Sequence, residues 1–138
     1  DKIIELKEKN TIKIIFENKG EDYFRKIEKK KTLDQLKKNN TVIALGGGAF
    51  LDPSIRKEIK NTCISFWLDL NINNLILRLK NAKKRPLLDQ ANLEESVNKI
   101  YSSRKKIYNE ANFKIKCNNK DKGIIVQEIV SLYESSGN

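Results

Sequence analysis

Apolar positions in this chain follow two rhythms, one recurring every three to four residues and one continuous or alternating, and the two take turns along its length. Residues 2–9 carry Ile3, Ile4 and Leu6 among charges, a short helix that Asn10 can close. Thr11 can cap a second short helix through Ile12, Ile15 and Phe16. Gly20 interrupts, and Glu21 and Asp22 then stand at the acid-favouring start of a longer helix with Phe24, Ile27, Leu33 and Leu36 at helical spacing, ending near Asn39 and Asn40. Residues 41–45 are β-rich and free of charge, which predicts a buried parallel strand running into Gly46, Gly47 and Gly48. Asp52 before Pro53 is an N-cap followed by proline at the first helical position, so a helix extends to about Lys60. A strand over 64–68 and a helix with Ile72, Leu75, Ile76 and Leu79 on one face come next. Residues 81–90 are polar and aperiodic, a loop. Residues 93–108 form a helix packed through Val97, Ile100, Tyr101 and Tyr108. Residues 113–116 alternate as an edge strand does, and 124–133 close as an amphipathic helix. Strands alternating with helices predict an α/β layer fold with a mostly parallel sheet.

Composition narrows the setting. At 138 residues and 38 % hydrophobic the chain has the size of one domain with a lean core. No run approaches the ~18 apolar residues of a membrane span, and residues 1–5 lack the apolar block of a signal peptide. A soluble, cytoplasmic, monomeric protein with no membrane partner is expected. Cys63 and Cys117 are far apart and in no C-x-x-C arrangement, so both are expected as reduced thiols, with Cys63 buried. There is no histidine, which excludes a histidine base and a histidine-ligated zinc. The net charge of +10, from 28 Lys and Arg against 18 Asp and Glu, raises nucleic acid as a partner. The lysines are scattered over nearly every helix rather than gathered with aromatics along one element, so a solvated surface is the favoured explanation and a basic nucleic-acid-binding module the alternative.

The arginines carry more chemistry, because a guanidinium is a planar fork that matches carboxylate or phosphate bidentately. Arg25 stands four residues after Glu21 and three before Glu28, so one helix face presents acid, base and acid. This is either a surface ion-pair ladder or a carboxylate-binding arginine held by Glu28. Arg85, before Pro86 in the polar loop, suits a lid that brings charge to a phosphoryl group. Arg56 is expected on the surface.

Taken in order, Gly20-Glu21, Phe24-Arg25 with Glu28, Leu45-Gly46-Gly47-Gly48-Ala49, Arg85-Pro86-Leu87-Leu88, and Arg104 with Tyr108 resemble shikimate kinase across essentially the whole chain. The resemblance implies a nucleoside-monophosphate-kinase-like, P-loop NTPase-like three-layer α/β fold. It also implies transfer of the ATP γ-phosphoryl group to the 3-hydroxyl of shikimate, in aromatic amino-acid biosynthesis, with Mg²⁺ accompanying ATP. By that resemblance Arg25 and Arg104 grip the shikimate carboxylate, Glu28 orients Arg25, and the Gly47 amide reaches a ring hydroxyl. Asp1 falls at the aspartate that binds and deprotonates the attacking hydroxyl. Arg85 is the lid arginine near the transferring phosphate, within a lid over residues 81–92, and Arg78 lies over the adenine. Phe16 and Phe24 flank the substrate pocket. A gluconate kinase of the same fold is the alternative enzyme, though it has no need of two carboxylate-gripping arginines at these spacings.

One departure is large. The family pattern begins with a strand, a G-x-x-x-x-G-K-[ST] loop and a helix, and the 138 residues contain no Gly-Lys pair. The sequence is therefore expected to be a single kinase domain, 1–138, lacking the N-terminal βα unit, and inactive by itself. No metal ligand is expected within it.

Overall fold

The computed structural model describes residues 1–80 and 92–137. The chain divides into two compact units, Asp1–Cys63 and Ile64–Asn138.

The first unit is helical. Helix α1 (Lys2–Glu8) stops at Lys9, which turns left-handed at φ 51°, one residue before the expected Asn10. Helix α2 (Ile12–Leu36) starts at Thr11, whose Oγ1 accepts from the Ile14 amide at 3.3 Å. Gly20, at φ 77° and ψ 171°, breaks α2 into two arms, a conformation in which only glycine is at ease. Around that break Ile4, Ile15, Phe24 and Ile27 are buried together. Glu8 Oε2 accepts from Lys19 Nζ and from the Tyr23 hydroxyl, each at 3.0 Å, so one carboxylate of α1 ties residues from both arms. Lys19 first, then Tyr23, hold the Glu8 carboxyl below its ordinary range.

The second arm packs against α3 (Pro53–Thr62) over Leu36, Ala49, Ile55 and Ile59, with a 3₁₀ turn (Ala49–Leu51) between them. Asp52 caps α3, accepting from the amides of Ser54 at 2.8 Å and Ile55 at 3.1 Å, and Lys29 of α2 pairs with it at 3.0 Å. Asp52→Ala is expected to cost about 0.5–2 kcal/mol in chemical denaturation. Burial alone would raise the Asp52 carboxyl, but Lys29 and the two amides outweigh it and hold it low. A depressed folded value means that the stabilisation is complete above the unfolded pKa of about 3.9 and fades as pH falls through the lower folded value. The gap between wild type and variant should therefore close in acid; a gap constant from neutral pH to strong acid would place its source elsewhere.

Residues 41–45 correct the sequence reading. They are not a β-strand: Ile43 and Leu45 pack inward on the α2–α3 core, while Val42 is wholly exposed. The apolar run supplies two half-buried side chains, Ile43 and Leu45, to that core. A strand also needs a neighbour to accept its amides and carbonyls, and no described strand pairs with it.

The second unit is α/β. Strand β1 (Phe66–Asp69) and strand β2 (Phe113–Lys116) pair in parallel, Phe66 opposite Phe113 and Asp69 opposite Lys116. Helices α4 (Ile72–Lys80) and α5 (Leu93–Tyr108) lie between them in the chain, and α6 (Lys122–Ser135) follows. Ile115 is fully buried with Leu70 and Cys117, against Ile125, Ile129 and Leu132 of α6. On the other face, Trp67 of β1 has the Lys114 ammonium 4.3 Å from its ring centroid and the Tyr108 ring of α5 at 6.0 Å. Asp69 pairs with Lys114 at 3.1 Å and accepts from the Tyr101 hydroxyl at 3.4 Å. The two strands thus have α6 on one face and α5 on the other. Ile76, Leu93 and Val97 join α4 to α5 through the apolar stripes read from the sequence.

Both cysteines are free thiols. Cys117 is buried, and burial raises its pKa; Cys63 is only half-buried, ending α3 against the first unit's core. Among the described residues no helix is long and apolar enough to cross a membrane.

Candidate active site

Restarting the helix after Gly20 sets Glu21, Arg25 and Glu28 on one face, since residues three and four apart are neighbours on a helix. Arg25 Nη1 donates to Glu28 Oε2 at 2.6 Å, and its Nε and Nη2 both donate to Glu21 Oε1, at 3.1 and 3.0 Å. The two acids differ. Glu28 is buried at 8 % exposure, a fixed brace, whereas the Glu21 side chain is 46 % exposed and free to exchange. Burial by itself would lower the Arg25 pKa; Glu28 and then Glu21 raise it, so the guanidinium carries its full charge. Three of its five N–H groups are committed to these acids, leaving one on each Nη for another acceptor.

The glycine turn faces this pair. A Cβ on Gly48 would lie 2.3 Å from Arg25 Nη1 and 2.6 Å from Cζ, and one on Gly46 would lie 3.0 Å from Glu28 Oε1. Gly47 lies between these two approaches. Phe24 is buried beside Arg25, its ring centroid 5.2 Å from the guanidinium carbon and 4.7 Å from that of Phe16. The structure therefore brings together Arg25, Glu28, Phe16, Phe24 and the three-glycine turn.

Of the remaining candidates, Asp1 belongs to the same unit as that cluster, and Arg78 and Arg104 to the other. Asp1 is exposed at the start of α1, where its carbonyl accepts from the amides of Ile4 and Glu5 and its side chain makes no capping bond. Arg104 is half-buried on α5, on the helix face that also carries Tyr101 and Tyr108. Arg78 is exposed in the last turn of α4. Arg85 and the lid expected over 81–92 lie outside the described residues, apart from Asn92, which precedes α5.

Arg56 is half-buried and not the surface residue that its sequence context predicts. Its Nη1 donates to the carbonyls of Phe50 at 2.9 Å and Leu51 at 2.7 Å, closing the 3₁₀ turn that follows the glycines. The position gave a signal: an arginine in the first turn of a helix reaches back over the segment leading into it.

Among the described residues no three acidic or cysteine side chains gather as potential metal ligands.

The shikimate kinase family model matches residues 1–134, nearly the whole chain. The chain belongs to the shikimate kinase family. Among its relatives, the shikimate kinase of Sulfurihydrogenibium sp. (strain YO3AOP1) is 37 % identical over 131 residues, 95 % of this chain and 78 % of the relative. That of Bartonella henselae (strain Houston 1) is 32 % identical over 130 residues, and there the chain spans 62 % of the relative's length. Among solved structures, shikimate kinase from Acinetobacter baumannii in complex with shikimate superposes with a TM-score of 0.92 at 30 % identity, covering 99 % of this chain and 77 % of that one. The fold is accordingly the P-loop NTPase-like α/β fold of this family, whose members are ATP-dependent kinases.

Proposed function

We propose that this protein transfers the γ-phosphoryl group of ATP to the 3-hydroxyl of shikimate. The observation that carries the reading is the Arg25 guanidinium, braced by buried Glu28 against the glycine turn while its Nε and Nη2 already donate to the Glu21 carboxylate. A fork held this way is built for a small acid. A charge-assisted hydrogen bond contributes roughly 1.5–3 kcal/mol, so two arginines suffice to select shikimate from neutral analogues. We assign the carboxylate to Arg25 and Arg104, a ring hydroxyl to the Gly47 amide, and the attacking hydroxyl to Asp1. Phe16 and Phe24 wall the pocket. Arg85 is assigned to the transferring phosphate and Arg78 to the adenine.

Phosphoryl transfer needs positioning and charge stabilisation more than a covalent intermediate, which suits a chain without histidine. ATP brings Mg²⁺ with it, and in this fold such an ion would be held largely by phosphates and a phosphate-loop hydroxyl. Aromatic amino-acid biosynthesis, in the cytoplasm, is the setting this assignment carries with it.

A coupled kinase assay on the full-length protein, with ATP and Mg²⁺, tests the assignment. Shikimate-dependent ADP release is expected, with none from gluconate. Turnover of gluconate in place of shikimate would overturn it, as would a steeply salt-dependent affinity for DNA or RNA with no response to shikimate.

A further inference from the structure

We infer that Gly48 is a positioning residue for the substrate carboxylate: its missing side chain fixes where the Arg25 guanidinium stands. The inference rests on the carboxylate-binding role proposed above. Glycine is not required at position 48 by the backbone, which sits at φ −72° and ψ −33°, ordinary helical values open to any residue. Gly20 offers the contrast, because there the backbone angles demand glycine while a Cβ would meet nothing within 4 Å. At Gly48 the constraint is space alone.

Three guanidinium atoms of Arg25 crowd the place of the absent Cβ, at 2.3, 2.6 and 2.7 Å, where carbon and its neighbours need roughly 3.5 Å or more. A methyl group at this point must push the guanidinium away by about an ångström, a displacement on the scale that disrupts oriented binding. Glu28 cannot follow fully. It is buried, at 8 % exposure. Arg25 has an outward route, since its side chain is 29 % exposed and Glu21 lies on the exposed side. The crowding therefore falls on the aim of the arginine and little on the fold, because the displaced atoms are the far end of a flexible side chain.

The test is Gly48→Ala in the full-length protein, alone and with Arg25→Ala. The single variant is expected to raise the shikimate KM about tenfold, with kcat and the ATP KM within about twofold of wild type. Its melting temperature should stay within about 4 °C of wild type. In the Arg25→Ala background the same change should add less than about twofold to KM, because Gly48 acts only through that side chain. An unchanged shikimate KM in Gly48→Ala overturns the inference, and so does an equal penalty in both backgrounds. A variant that fails to fold, or that loses kcat and melting temperature together, assigns Gly48 to the fold and overturns it as well. If Arg25→Ala itself leaves KM untouched, the carboxylate assignment falls and the inference with it. A large effect of Arg25→Ala with none from Gly48→Ala removes the inference alone.

Discussion

Arg25→Lys is expected to raise the shikimate KM of the full-length protein by an order of magnitude or more, with kcat changed far less. Lysine keeps the positive charge and loses the fork. The wild-type guanidinium binds Glu28 with one nitrogen and Glu21 with two others while retaining N–H groups for a further acceptor. An ammonium of three donors on a different stem cannot hold the same brace and present two parallel bonds to a carboxylate. One charge-assisted hydrogen bond lost corresponds to roughly 1.5–3 kcal/mol, or about 10- to 150-fold in affinity. The carboxylate does not react, so the interaction is the same in ground and transition states and its loss appears in KM. Steady-state kinetics with shikimate varied at saturating ATP measure this, and an unchanged KM would remove Arg25 from the site.

The largest expected loss of stability is from Ile115→Ala. Ile115 has no exposed surface, and its side chain lies between β2 and the inner face of α6 with Leu70 and Cys117. Truncation there removes transfer free energy and leaves a cavity, together about 2–5 kcal/mol. Whole domains are stable by only about 5–15 kcal/mol, so this is a substantial fraction. Urea denaturation should show a lower midpoint with the slope retained. A loss under about 1 kcal/mol would mean that α6 collapses onto the vacated space or that the site is not core.

Much of the local structure was legible in the sequence. The helix over residues 93–108 and the strand over 113–116 are found with those bounds, because apolar period and flanking turn residues agree there. Asp52 and Pro53 marked a helix start through capping chemistry that depends on adjacent residues only. Gly20 marked a break for the same reason. Residues 41–45 misled because an apolar run reports what must be covered, while pairing depends on which other segment lies alongside. The glycine turn is the comparable case in the site. Three glycines in a row announce a close approach, but which of them meets a side chain depends on the height at which α2 passes. Arg56 donates to backbone carbonyls, which no side-chain pattern displays.

The chain has one tryptophan, Trp67, and it sits on β1 beside the Lys114 ammonium and the Tyr108 ring. Indole emission excited where tyrosine is dark therefore originates wholly in Ile64–Asn138, while the Arg25 cluster belongs to Asp1–Cys63. Far-ultraviolet dichroism is weighted by helices of both units. Melting the protein with both signals at once thus separates the fate of the Arg25 cluster from that of the sheet, with no label attached.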